Sequence, residues 1–445
     1  MKLRTPSEGR NTVAIDEKAV AVLDERVLGP EYKALPPAAW GRTAREFLDS
    51  APYLDQFETP VLTVDRGAVA ANITVMADWA RAAGVRLAPH GKTTMAPQLW
   101  AQQLSAGSWG ITLATVWQVQ LARSFGVGRI VLANALVDPV GLHWVAAELA
   151  KDPAFEFVCW ADSVETVALM DSHLRSAPGA ARIRVIVELG GPHGRTGART
   201  VAAAGVIAAA VDGAARLTLA GVGGYEGALA HDRSPDAIAA VRHYLDELAR
   251  LHRELAAAGL YHDTAIITAG GSAYQDLVVE CLAGLADEQG TQGIPTTIVL
   301  RSGAYIIHDD GFYASISPLA APRSERPLRS AMHGWARTVS RPEPELALLD
   351  AGKRDLPFDE GLPVPQHIAG PEDSLNPTAT VSALNDQHAF LRLPGSTADE
   401  VPVGTVVRLG LSHPCTAFDK WRLIPVIDDA DAERPRVVDL LHTFF

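Results

Sequence analysis

Cysteine is scarce in this chain. Three occur in 445 residues, at positions 159, 281 and 415, too few and too scattered for a disulfide framework. A reducing cytoplasm is therefore the expected compartment. No run of about 18 uncharged apolar residues occurs, so no membrane-spanning helix is expected. The stretch from Met1 to Lys18 is charged and polar, without the apolar core of a secretory leader. Blocks of positive charge are missing as well. With 39 Lys+Arg against 52 Asp+Glu the net charge is −13, which argues against nucleic acid as a partner. A chain that is 48% hydrophobic and 20% charged is not disordered, and its length suits two or three domains, or one large barrel with a smaller domain. No internal repeat of 20–50 residues is visible.

The first part of the chain, residues 1–58, reads as an N-terminal extension. It has a weak helical pattern over 17–28, broken by Pro30, Pro36 and Pro37. It is expected to pack on the body or on a partner subunit. From Thr59 short apolar runs alternate with longer amphipathic segments. Eight runs stand out: 85–88, 111–114, 130–133, 155–160, 183–189, 217–224, 265–269 and 297–300. They are apolar on both faces, as buried parallel strands are. Between them lie helical stripes such as Val69, Ile73, Met76, Ala80 and Ala83, closed by Gly84, and Ile238, Val241, Leu245, Leu248 and Leu255, closed by Gly259. Eight such units predict an α/β fold, a (β/α)8 barrel over residues 59–305, with a doubly wound open sheet as the rival. After Gly303 prolines punctuate short strand-like pieces, so residues 306–445 read as an all-β C-terminal domain.

Barrel chemistry gathers where strands end. The first run is followed by Pro89-His90-Gly91-Lys92-Thr93-Thr94. The chain has seven lysines, and the other six fall in the extension, at a helix end or in the β domain. Only a lysine can form an imine, so Lys92 at the barrel mouth is a Schiff-base candidate; a surface lysine in a loop is the plain alternative. The seventh and eighth runs lead into Gly270-Gly271-Ser272 and Arg301-Ser302-Gly303-Ala304-Tyr305. Glycine loops at these two strands are where barrels cradle phosphate. A lysine facing a phosphate cradle suggests pyridoxal phosphate. Arg195, after the fifth run, is a candidate partner for the cofactor's phenolic oxygen. Tyr225, after the sixth, is a candidate for its ring nitrogen. Each could equally be tied into local loop contacts.

Near the chain's end stands His413-Pro414-Cys415. Residues i and i+2 of an extended segment point the same way, so imidazole and thiolate could share one ion, and nitrogen with sulfur favours Zn²⁺. Cys159 and Cys281 look like core. His308, Asp309, Asp310 and His388 are read as structural.

These residues together resemble the fold-type III pyridoxal-phosphate enzymes of the D-serine dehydratase and D-threonine aldolase group, relatives of alanine racemase. The resemblance runs from Thr59 to the C-terminus. It is carried by Thr59-Pro60-Val61-Leu62-Thr63-Val64-Asp65, Pro89-His90-Gly91-Lys92-Thr93, Arg195-Thr196-Gly197, Gly270-Gly271-Ser272, Gly303-Ala304-Tyr305, Asp350-Ala351-Gly352-Lys353 and His413-Pro414-Cys415. It implies a cofactor-bearing Lys92, with His90, Arg195, Tyr225, Gly270, Gly271, Ser272, Ser302, Gly303 and Tyr305 around the cofactor. It also implies a divalent metal at His413 and Cys415, a D-amino-acid substrate and a homodimer. Dehydratases of this group look like His-x-Cys and the aldolases like His-x-Asp. Cys415 therefore points to β-elimination of water from a D-3-hydroxyamino acid, giving a 2-oxo acid and ammonia. Retro-aldol cleavage is the alternative, and a non-catalytic pyridoxal-phosphate carrier is a third reading. The residues after Cys415 and the long N-terminal extension depart from the group's pattern.

Overall fold

The structure is a computed structural model. It describes residues 15–445 except 178, 180, 193, 288–292, 369–377 and 396–400. His193, within the glycine-rich stretch 190–197, lies outside the described residues.

Strand β1 (Val61–Asp65) precedes eight strands that pair in parallel: β2 (Arg86–Leu87), β3 (Ile111–Leu113), β4 (Arg129–Ala135), β5 (Glu156–Ala161), β6 (Ile183–Glu188), β7 (Leu217–Gly223), β8 (Ala265–Ala269) and β9 (Thr296–Leu300). Each falls on one of the eight apolar runs. Their order is β2-β9-β8-β7-β6-β5-β4-β3, and a parallel bridge between His90 and Thr112 closes the circle from β2 to β3. The sheet is the curled wall of a (β/α)8 barrel, and the doubly wound rival falls. Helices alternate with the strands as the stripes predict. Arg66–Ala82 buries Val69, Ile73, Met76 and Ala80, and Pro235–Ala257 buries Val241, Leu245, Leu248 and Leu255. Both stop where Gly84 (φ +70) and Gly259 (φ +68) turn the chain left-handed, a conformation open to glycine at little cost.

The C-terminal part forms a second, mostly antiparallel sheet from β10 (Met332–Glu343), β11 (Leu346–Leu349), β12 (Val364–Ile368), β13 (Thr380–Leu384), β14 (Ala389–Arg392), β15 (Val406–Gly410), β16 (Leu423–Ile427) and β17 (Val437–His442). Strand β1 completes it. β1 lies between β10, antiparallel, and β16, parallel, with Val61 opposite Trp335 and Val64 opposite Val426. The expected boundary at residue 59 therefore moves. Residues 61–65 belong to the β domain, and the chain enters the barrel through the helix that follows. The cause is pairing with strands some 270 and 360 residues downstream, which no local pattern encodes.

Residues 15–58 of the extension pack on the body of this same chain. Asp16 N–H donates to the Phe125 carbonyl at 2.8 Å, and Leu28, Phe47 and Phe57 share a core cluster with Trp335 and Leu423. The two larger parts meet over the barrel mouth. Phe444 N–H donates to the Met95 carbonyl (3.0 Å), and Gln98 donates to the Leu440 carbonyl (2.9 Å).

One close approach sets how the loop after β9 meets the end of β2. A Cβ on Gly303 would lie 2.6 Å from the His90 Cβ and 2.7 Å from the His90 carbonyl oxygen. Gly303→Ala is expected to destabilise the fold by about 1–3 kcal/mol through overpacking against backbone. Urea unfolding followed by tryptophan fluorescence measures it; an unchanged midpoint contradicts the contact.

Candidate active site

The end of β2 runs into Pro89 and His90 and then a single turn, Gly91–Thr93. The turn is fixed from behind, because the Trp100 indole donates to the Gly91 carbonyl at 3.1 Å. A Cβ at Gly91 would meet that indole nitrogen at 2.7 Å, so the helix and the turn interlock. Lys92, half-buried, opens into a pocket at the C-terminal ends of the strands. His90, Arg195, Tyr225, Gly270, Gly271 and Ser272 line the same pocket, and so do Gly303 and Cys415. The structure thus brings eight of the residues singled out in the sequence to one place with Lys92.

Ser302 and Tyr305 stand behind the pocket. Ser302 is buried and its hydroxyl donates to the Gly271 carbonyl (2.7 Å), bracing the glycine loop. Tyr305 is buried with its hydroxyl accepting from Gln103 at 3.0 Å, on the helix Pro97–Ser105. His413 is next to the pocket through Cys415 rather than in its lining.

Several lining residues escaped the sequence reading. Trp160, Glu188 and Arg301 come from β5, β6 and the end of β9, and Tyr313 comes from the short helix Phe312–Ile316. Arg301 is buried, with one guanidinium nitrogen donating to Thr268 Oγ1 (2.6 Å), the other to the Gly224 carbonyl (2.5 Å), and the group 5.1 Å above the Trp160 ring. Glu188 accepts from the Thr196 hydroxyl (2.9 Å), and burial raises its carboxyl above the ordinary range. Asp309, read as structural, is an anchor for the second half of the site. Its carboxylate accepts from the backbone N–H groups of Gly311, Tyr313 and Ala314 and, through its other oxygen, from His413 N–H at 3.0 Å. Burial outweighs these bonds and pushes its carboxyl up to about 6. The only hint in the sequence was its place just beyond the last barrel strand.

The electrostatics favour an anion. Lys92, Arg195 and Arg301 surround His90, which burial and these three cations keep far below its ordinary pKa and hence neutral. Tyr225 is pushed up to about 12, mainly by burial and next by Glu226, so it keeps its proton; the Arg195 guanidinium lies 5.5 Å over its ring. The donors fit an anionic aromatic cofactor. His90 Nδ1 and Arg301 Nε are buried without a partner, a cost a bound group would relieve. Among the described residues the backbone N–H groups of Ser272, Gly303 and Ala304 meet no hydrogen-bond acceptor.

A metal ion fits the other wall in part. His413 Nδ1 lies 2.6 Å from Asp359 Oδ2, which also accepts from the Thr416 hydroxyl (3.0 Å). A carboxylate on Nδ1 orients the ring and leaves Nε2 for an ion, the usual support behind a metal-binding imidazole. Contact with Cys415 raises His413 to about 9. Burial alone would raise the Cys415 thiol, but His413, Lys92 and Thr93 outweigh it and the thiol falls below its ordinary value. Among the described residues no group of three His, Cys, Asp or Glu side chains is placed to hold a metal. An ion here would complete its shell with water or substrate.

Residues 331–427 match the family model described as a putative serine dehydratase domain. The chain is 28% identical over 382 residues to a D-threonine aldolase of Arthrobacter sp., covering 85% of this chain and 92% of that one. Among solved structures, D-threonine aldolase from Filomicrobium marinum superposes with a TM-score of 0.72 at 23% identity, covering 88% of this chain and 96% of that one. D-threo-3-hydroxyaspartate dehydratase from Delftia sp. HT23 superposes with a TM-score of 0.66 at 20% identity, covering 87% and 97%. Solved structures of that dehydratase include a cysteine-to-alanine variant in a metal-free form. An imine-capable lysine thus stands at the mouth of a barrel whose fold is alanine racemase-like.

Proposed function

We propose that the protein is a pyridoxal-phosphate- and metal-dependent lyase that removes water from a D-3-hydroxyamino acid, releasing a 2-oxo acid and ammonia. The observation that carries the reading is that Lys92 and Cys415 line one pocket, with His413 pinned by Asp359 beside them. Lys92 would carry the cofactor, and His90, Arg195, Tyr225, Gly270, Gly271, Ser272 and Gly303 would surround it, with Ser302 and Tyr305 supporting from behind. Bound there, the cofactor supplies an electron sink for charge developing at the substrate's α-carbon. An ion held by His413 and Cys415, with Zn²⁺ favoured by their nitrogen and sulfur, supplies Lewis acidity at the β-oxygen.

The chain's own groups do the rest. Lys92 Nζ, free once substrate is bound, takes the α-proton as general base. Tyr225 keeps its proton and would offer a neutral hydroxyl to the ring of the cofactor. Arg195 is positioned over Tyr225 to meet anionic oxygen of cofactor or substrate. Trp160 and Tyr313 line the pocket and would help shield the reacting carbons from water.

Aldol cleavage of the same substrate class is favoured by the likeness to the aldolase of Arthrobacter sp.. It would break Cα–Cβ and return glycine and an aldehyde. A non-catalytic carrier is the weaker reading, because nothing in it uses the His413–Cys415 wall. A homodimer also belongs to the proposal. Trp117, Val137, Val140 and Val164, exposed beyond the ends of β3, β4 and β5, suit coverage by a second copy. No helix among the described residues is long and apolar enough to cross a membrane, and a cytoplasmic home rests on the cysteine usage.

Borohydride reduction of the holoprotein should leave the cofactor's mass on the Lys92 peptide; the mass on any other lysine overturns the assignment. Incubated with D-threonine, the protein should release 2-oxobutyrate, whereas glycine with acetaldehyde selects the aldol reading. Chelation should abolish product formation without removing the cofactor. Asp359→Asn should weaken metal affinity by about 10–100-fold, measured by competition with a chromogenic chelator; an unchanged affinity shows that Asp359 does not support the ion.

A further inference from the structure

The loop after β8 has a feature that the phosphate-cradle reading does not account for. Two of its N–H groups are already taken. Gly270 N–H donates to Glu226 Oε2 at 2.9 Å, and Gly271 N–H to Glu226 Oε1 at 2.8 Å. Glu226 is 0% exposed and belongs to the loop after β7, where it follows Tyr225. A buried carboxylate spanning two consecutive N–H groups holds their peptide planes in one orientation.

We propose that Glu226 is a positioning residue for the phosphate end of the pocket. Its carboxylate presets the β8 loop so that Ser272, Gly303 and Ala304, rather than the two glycines, present N–H groups to the phosphate monoester of the cofactor. The inference rests on the pyridoxal-phosphate reading above and deepens it.

Three observations support it. The carboxylate uses both of its oxygens on this loop, which leaves Gly270 and Gly271 with no N–H for a ligand. The N–H groups of Ser272, Gly303 and Ala304 remain without partners among the described residues, and all three residues line the pocket. The loop packs closely on its neighbours, for a Cβ at Gly271 would sit 2.8 Å from the Tyr225 ring and one at Gly270 would sit 2.8 Å from Leu300.

Charge is balanced as well. A carboxylate near a phosphate is repulsive unless a cation stands by. Buried Arg301 is that cation. Glu226 is the foremost acid acting on it, and its guanidinium is held by Thr268 and by the Gly224 carbonyl, two residues before Glu226. Glu226 and Arg301 thus tie the loops after β7, β8 and β9 into one unit. Glu226→Gln would keep one acceptor and turn an NH₂ group toward the other glycine N–H, setting two donors face to face.

The test titrates apoprotein with pyridoxal phosphate and with pyridoxal, which lacks the phosphate, following absorbance and tryptophan quenching. Glu226→Gln should weaken pyridoxal phosphate by roughly tenfold or more and leave pyridoxal unchanged. Equal loss for both ligands shows a merely structural role and overturns the proposal. Tighter phosphate binding overturns it too, since the freed glycine N–H groups would then be serving the anion. A wild-type protein that binds the two ligands alike refutes the cofactor reading itself, a separate failure. Amide hydrogen exchange on the wild-type protein gives a check that does not depend on the variant's folding. Gly270 and Gly271 should be protected without cofactor, and Ser272, Gly303 and Ala304 should gain protection only when pyridoxal phosphate is added. Glycine amides that exchange freely until the cofactor binds contradict the assignment.

Discussion

The turn that carries Lys92 sits on the seam where the barrel closes, and it is held on three sides. Trp100 donates to its first carbonyl, His90 bridges to Thr112 across the seam, and Gly303 presses on His90 with no room for a side chain. A lysine has a long, flexible stem, and fixing it costs rotamer entropy of order 2 kcal/mol. Anchoring the backbone beneath it on both sides of the seam limits that cost to the side chain alone. The rest of the site is arranged around this fixed point. The β domain reaches it through Cys415, whose sulfur lies 3.5 Å from the Thr93 hydroxyl, one residue beyond Lys92.

The electrostatic design follows. A chain with net charge −13 gathers Lys92, Arg195 and Arg301 around one pocket and keeps His90 neutral among them. Positive potential focused in a walled cleft favours an anionic cofactor and a carboxylate substrate over the acidic surface around it. The acids inside are each given a task. Glu188 holds the Arg195 loop through Thr196, Glu226 holds the glycine loop, Asp309 holds the His413 backbone, and Asp359 holds its ring. None of the four is a bare charge in the pocket, which agrees with the cost of burying an unpaired carboxylate.

Much of this was legible in the sequence, and the remainder has physical reasons for hiding. Strands buried on both faces leave continuous apolar runs, so the eight barrel strands could be placed from 85–88 to 297–300. Lys92 was conspicuous because lysine is rare here and an amine has chemistry that arginine lacks. The role of β1 was not legible, since a five-residue apolar strand looks the same whichever sheet it joins. The four acids were not legible for a related reason. Each works on backbone N–H or side-chain groups that folding brings to it: Glu226 reaches a loop 44 residues away, and Asp309 reaches His413 across 104. Loops have no period, so a carboxylate in one carries no sign of which amide it will meet. Tyr305 shows the opposite case, a residue in the right motif whose side chain turns inward to Gln103.

The central claim is that one lysine amine and one histidine–cysteine pair face the same small space. A crystal structure of the holoprotein, with anomalous data on both sides of the zinc edge, tests it most directly. The account predicts density continuous from Lys92 Nζ into a ring whose phosphate lies against Ser272 and Gly303, and an anomalous peak touching His413 and Cys415. Lys92 found with a bare amine while the cofactor lies elsewhere, or a metal peak remote from that pair, would contradict it.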